Sequence, residues 1–145
     1  MLVQLILKSK AGAAVVTVAP DASVGDAASL LSDKGIGTVV VSSDGKKAEG
    51  ILSERDIVRE LGKSGSGCLA KPVSAYMTTK LVTCSSQSNV EDILKQMTEG
   101  RFRHMPVLDE DGSMVGLVSL GDVVKAQLAE IAMEKNALEG MIMGH

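Results

Sequence analysis

The sequence predicts an α+β fold made of two copies of one β-α-β-β-α unit, and three observations predict it. Residues 16–58 align without a gap on the residues 66 positions later. Nine identities run through that register: Val16/Val82, Thr17/Thr83, Val24/Val90, Asp26/Asp92, Val41/Val107, Gly50/Gly116, Ser53/Ser119, Asp56/Asp122 and Val58/Val124. Ungapped self-similarity at a single period marks a duplicated structural unit. In both copies, short β-branched runs and helical apolar stripes follow in the same order. Finally, Gly50-Ile51-Leu52-Ser53-Glu54-Arg55-Asp56 recurs as Gly116-Leu117-Val118-Ser119-Leu120-Gly121-Asp122. Each copy of this stretch ends an apolar run, places a hydroxyl, and sets a carboxylate three residues later where a helix begins. A unit of about 60 residues buries too little surface to stand alone, so the halves are expected to pack sheet to sheet about a pseudo-twofold axis.

The elements follow in order. Residues 2–9 predict a short helix with Leu2, Leu5 and Ile6 on its apolar face, ended by the nearby Gly12. Ala14-Val15-Val16-Thr17-Val18 is a β-branched strand stopped by Pro20. Ser23 with Asp26 has the capping-box pattern. Ala27, Leu30 and Leu31 form the helical stripe behind it, and Gly35 is the stop. Ile36 to Val41 is a buried strand, and Ser43-Asp44-Gly45-Lys46 turns into a second strand through Leu52. A helix marked by Ile57, Val58 and Leu61 begins near Ser53, and Lys63-Ser64-Gly65-Ser66-Gly67 has the composition of a flexible linker.

Val73 to Met77 predicts another short lead-in helix, and the program then repeats. Leu81-Val82-Thr83-Cys84 is a strand. Asn89 and Asp92 cap a helix with Val90, Ile93, Leu94 and Met97 inward, ended by Gly100. His104 to Leu108 and Met114 to Val118 are strands around an Asp109–Gly112 turn, and a helix starts near Leu120. Val124, Leu128, Ile131, Leu138 and Met141 or Ile142 extend an amphipathic stripe past the repeat, to lie on the chain itself or on a partner subunit.

Composition excludes several function classes. The chain has 145 residues, one Phe, one Tyr and no Trp, so its core is aliphatic and stacking platforms for single-stranded nucleic acid are missing. A net charge of −3 supplies no field for nucleic acid or anionic lipid. Cys68 and Cys84 have no metal-knuckle or disulfide-framework spacing, which fits free thiols in a reducing cytoplasm. No secretory leader pattern stands at residues 2–8, and no apolar run approaches the roughly 20 residues that span a bilayer. Catalytic triads, metal clusters and Walker-type loops are all missing, so no enzymatic activity is expected.

Gly50 to Ile57, together with Arg103-His104-Met105-Pro106-Val107-Leu108-Asp109 and Gly116 to Asp122, resembles the CBS-domain pair, the cystathionine-β-synthase-type tandem repeat or Bateman module. The resemblance covers roughly residues 1 to 128 and looks like a stand-alone member without an attached effector domain. It implies a first repeat with its lead-in helix over 1–66, a second over 67–128, and a helical extension over 129–145.

It further implies a non-catalytic regulatory or sensor module that binds AMP, ADP, ATP or NAD in two clefts between the repeats and signals by a change of shape or oligomeric packing. Homodimerisation and a separate effector protein are implied partners, with no metal required. Carried over residue by residue, one cleft joins Ser53, Arg55 and Asp56 to Thr83, Cys84, Phe102, Arg103 and His104. The other joins Ser119 and Asp122 to Thr17, Val18, Ile36, Gly37 and Thr38. In similar proteins the aspartate accepts from the ribose hydroxyls, while the serine and basic neighbours hold phosphate.

The residue chemistry agrees with that division. A carboxylate accepts from both vicinal hydroxyls of a ribose, and a helix N-terminus favours an anion. Arg55, Arg103 and His104 can neutralise a phosphate chain in the first cleft, whereas Gly121, Gly37 and Thr38 stand at the equivalent places in the second. The clefts are therefore expected to differ in affinity or ligand. Two plainer readings stay open: Ser53/Asp56 and Ser119/Asp122 as helix caps alone, and the chain as a structural or partner-binding module without nucleotide affinity.

Overall fold

A computed structural model describes residues 1–10 and 14–143; the stop at Gly12 and the terminal His145 lie outside the described residues. The elements are α1 (Val3–Ser9), β1 (Thr17–Val18), α2 (Val24–Lys34), β2 (Thr38–Val41), β3 (Gly50–Ser53), α3 (Glu54–Ser64), α4 (Val90–Gly100), β4 (His104–Leu108), β5 (Met114–Ser119) and α5 (Leu120–Ile142). Two 3₁₀ segments, Gly65–Ala70 and Val73–Ala75, join the halves.

The first unit is a three-stranded sheet in the order β1-β2-β3, parallel across β1/β2 and antiparallel across β2/β3. The second is the antiparallel pair β4-β5. Its expected first strand shrinks to a single parallel bridge between Cys84 and Val107. β1 is similarly short, because only Thr17 and Val18 enter the ladder opposite Val40 and Val41. β1 stands at the edge of its sheet and the Cys84 bridge lies alongside β4, so both apolar runs pair only at their ends.

Helix boundaries follow their caps. Ser23, Ser53 and Ser119 each accept from the backbone N–H three residues on, and the last two complete reciprocal capping boxes with Asp56 and Asp122. Asn89 instead accepts from Glu91. Gly35 closes α2 in the left-handed conformation as expected. At the equivalent place α4 departs from expectation: Gly100 is the last helical residue, and Arg101 takes the left-handed turn with φ 56°. Phe102 explains the choice, since a Cβ on Gly100 would lie 2.5 Å from its ring.

The Lys63–Gly67 stretch is ordered rather than a linker. α3 runs through Ser64 and the chain turns directly into a 3₁₀ segment, pinned by the buried Cys68. Likewise α1 turns a different face inward, with Val3 and Ile6 buried and Leu5 exposed. From Leu120, α5 runs unbroken into the C-terminal extension, leaving Leu128, Ile131, Leu138 and Ile142 exposed along it.

The lead-in segments are exchanged between the halves. Val3 and Ile6 of α1 belong to the core of the second unit, with Val90, Ile93, Met97, Met105, Val107, Val118 and Val123. Val73, following the first unit in sequence, completes that unit's core with Val24, Leu31, Val39, Val41, Leu52 and Ile57. Backbone bridges repeat the exchange at equivalent positions, Leu2 with Asn89 and Ser23 with Pro72. Gly50 and Gly116 make room for it. A Cβ at Gly50 would stand 2.5 Å from the Met77 sulfur, and one at Gly116 2.5 Å from Leu7 Cδ2.

Among the described residues no helix is long and apolar enough to cross a membrane, and no group of three or more His, Cys, Asp or Glu gathers to hold a metal.

Candidate functional site

At the first corner, β3 enters α3 through Ser53. The Ser53 backbone N–H donates to Asp56 Oδ2 at 2.9 Å, the Ser53 hydroxyl donates to the same oxygen at 3.0 Å, and the Asp56 N–H donates back to Ser53 Oγ at 3.2 Å. The cap therefore uses Oδ2. Among the described residues the other carboxylate oxygen, Oδ1, accepts only from the guanidinium of Arg59, at 3.1 Å, and that side chain is 56% exposed. Exposed pairs of this kind contribute little and exchange readily. The cap thus occupies one oxygen of the side chain and leaves the other to an exposed partner.

A cleft of about 560 Å³ opens beside this corner. Ser53, Arg55 and Asp56 form one side, and Phe102, Arg103 and His104 the other, as expected from the sequence. Thr83 and Cys84 do not line it. Cys84 pairs with Val107, points its thiol toward the Pro106 carbonyl at 3.8 Å, and packs on the core of the second unit. Burial pushes that thiol up to about 11, so it stays protonated. The segment just before it, with Lys80, Leu81 and Val82, makes the wall instead. Five basic residues (Arg55, Arg59, Lys80, Arg101 and Arg103) face two acidic ones (Glu54 and Asp56), a surplus of three positive charges.

The second cleft, of about 470 Å³, joins Ser119 to Ile36, Gly37 and Thr38. Thr17 and Val18 are held in the β1/β2 ladder, and Ala14, Val15 and Val16 line the cleft in their place. Asp122, expected beside Ser119, does not line the cleft: its carboxylate is turned to Lys10, which does line it and whose ammonium donates to Asp122 Oδ2 at 2.8 Å and to the Leu117 carbonyl at 2.9 Å. Burial works to raise the Asp122 pKa. The hydrogen bonds from Lys10 and from the Ser119 backbone overcome it and hold the carboxyl below its ordinary value.

Thr38 and His104 are the same position of the two repeats, 66 residues apart, and they meet: Thr38 Oγ1 lies 3.1 Å from His104 Nδ1. Both line both clefts, so this contact is where the two sites share a wall. Burial, reinforced by the charge of Lys10, pushes the His104 pKa below its ordinary 6.5, leaving the ring neutral at pH 7.

A pH dependence follows from that direction of shift. The folded pKa is depressed, so the neutral ring's contribution to stability is complete above about pH 6.5 and is lost as pH falls through the depressed value. An NMR titration of His104 should show a midpoint below 6.5. Replacing it, His104→Gln, should flatten the fall in melting temperature just below that pH. A midpoint at or above 6.5 would contradict the burial argument.

Among the lining residues not singled out as site residues from the sequence are three basic ones. Arg59 lies three residues after Asp56 on the same helix, a spacing that puts the two side chains on one face. Lys80 had only its charge to mark it. Lys10 had no signal, since its partner Asp122 is 112 residues away.

Two β-α-β-β-α units facing each other across paired clefts define a tandem-repeat module. The CBS-domain family profile matches residues 12–63 and 73–129, and the chain belongs to the CBS-domain family. It is 34% identical over 128 residues to the CBS domain-containing protein CBSX3, mitochondrial, of Arabidopsis thaliana; that match covers 86% of this chain and 62% of the relative. The chain thus spans somewhat less than two thirds of that protein. The crystal structure of the CBS-domain containing protein ATU1752 from Agrobacterium tumefaciens superposes with a TM-score of 0.81 at 42% identity, covering 88% of this chain and 99% of that one. CBSX2, solved in complex with AMP, superposes with a TM-score of 0.68 at 33% identity, covering 79% and 88%.

Proposed function

We propose that this chain is a non-catalytic regulatory module of the cytoplasm that binds an adenosine ligand carrying phosphate (AMP, ADP, ATP or an NAD-type dinucleotide) in the cleft containing Asp56. The observation that carries the proposal is Asp56 itself. Its Oδ2 is committed to the helix cap, while its Oδ1 faces a cleft with three surplus positive charges. Such a carboxylate accepts from the ribose, and the arginines neutralise the phosphates. The AMP complex of the similar protein CBSX2 supports the ligand class.

Binding joins the N-terminus of α3 to the Arg101–His104 segment, which belong to different repeats. A ligand that contacts the two differently in two arrangements shifts the balance between them. That shift is the signal passed to a separate effector protein.

Arg103→Ala should weaken AMP more than adenosine, because only AMP has a phosphate to lose a partner. Calorimetry with both ligands checks this; equal weakening would remove Arg103 from phosphate binding. On wild-type protein, a ligand at 100 times its Kd should raise stability by about 2.7 kcal/mol, several degrees of melting temperature.

We infer a homodimer through the apolar residues left exposed on equivalent helix faces, Val58 of α3 and Val124 of α5. Light scattering that returns the mass of one chain, with and without ligand, would exclude it. The exposed stripe on α5 favours a second reading, a structural or partner-binding module. Lack of any thermal shift with adenine nucleotides would select that reading.

A further inference from the structure

The two corners treat their carboxylates differently. At Asp56, cap and cation use different oxygens, and the cation is the exposed, replaceable Arg59. At Asp122, one oxygen takes both: Oδ2 accepts from the Ser119 backbone N–H at 2.9 Å and from the Lys10 ammonium at 2.8 Å. This pair is only partly exposed, 36% for Lys10 and 26% for Asp122.

Lys10 is also held in place from behind. Its backbone N–H donates to the Ile6 carbonyl at 3.1 Å. The helix before it is anchored by the buried Val3 and Ile6 and by backbone bonds to Ser86 and Ser88. The ammonium therefore reaches Asp122 from a fixed base, and the ordering entropy of its side chain is offset by two bonds, to Asp122 and to the Leu117 carbonyl, rather than one.

Resting on the reading of the first cleft above, we infer that Lys10 determines the specificity of the second cleft: by occupying the Asp122 carboxylate it closes that cleft to the ribose diol of a nucleoside and limits the chain to one adenosine site. A diol that needs Asp122 must displace the ammonium. The vacated lysine would then keep only the Leu117 carbonyl. Among the described residues lining this cleft the titratable groups are Lys10 and the neutral His104, so its one positive charge is the ammonium already paired with Asp122, against a surplus of three in the first cleft.

Calorimetry with adenosine and AMP as titrants tests the inference through the number of sites. Wild-type protein should bind one ligand per chain. Lys10→Met, which keeps the length of the side chain and removes its charge, should bind two, with the new site gaining at least tenfold in affinity for adenosine. Lys10→Gln guards against a folding defect particular to methionine and should behave alike.

Asp56→Asn should weaken the wild-type site alone, on the order of 10–100-fold, and the double variant Lys10→Met/Asp56→Asn should keep the new one at full affinity. Two sites in wild type, or still one in both Lys10 variants, would overturn the inference. If Asp56→Asn left the wild-type site intact while Lys10→Met added a second, the reading of the first cleft would fail and the role of Lys10 would stand. No binding by any of the proteins would overturn both.

Discussion

Asp56→Asn is expected to weaken AMP binding on the order of 10–100-fold while leaving the fold nearly as stable as before. A hydrogen bond to a charged acceptor is worth about 1.5–3 kcal/mol, and the ribose would lose that charge at Asp56. The cap should survive, because an amide oxygen can accept from the Ser53 N–H as the carboxylate does at 2.9 Å. Asp56→Ala removes both functions and should add a cap loss of about 1 kcal/mol. Comparing the two variants by calorimetry and thermal melting separates the roles. A drop in melting temperature alike for both, with AMP affinity unchanged in Asn, would mean that Asp56 only caps α3.

The largest expected effect on stability comes from a residue outside both repeats of the sequence pattern. Ile6→Ala should cost about 3 kcal/mol, roughly 10 °C of melting temperature. Ile6 is 5% exposed and packs in the core of the second unit with Val90, Ile93 and Val118. Amide exchange should accordingly rise in α4, β4 and β5 rather than in β2 and β3, although the latter are nearer in sequence. Exchange confined to the first unit would contradict the exchanged lead-in.

What the sequence made legible was whatever is repeated or local. The 66-residue register located both corners, both antiparallel pairs and the position shared by Thr38 and His104, since duplicated residues fold alike. Caps at Ser53 and Ser119 were legible because a hydroxyl and a carboxylate three apart suffice to specify them. Whatever depends on partners distant along the chain was not legible. Lys10 finds Asp122 across 112 residues. Leu81 to Thr83 look like a strand by composition, yet only Cys84 meets a partner, Val107. The inward face of α1 was misjudged by one residue because seven residues hold too few turns to fix a stripe. At Arg101 a left-handed turn falls on a non-glycine residue because Phe102 needs the space over Gly100.

The exchanged lead-ins also govern how the chain matures during synthesis. α1 leaves the ribosome before the segment it docks on, since Val3 donates its backbone N–H to Ser88, 85 positions later. A seven-residue helix is not stable alone in water. At ~5–20 residues per second, it must wait several seconds for its partners to be made. The earlier-made α1 thus docks only after the second repeat has followed it, and it fastens that later-made repeat rather than the one next to it in sequence.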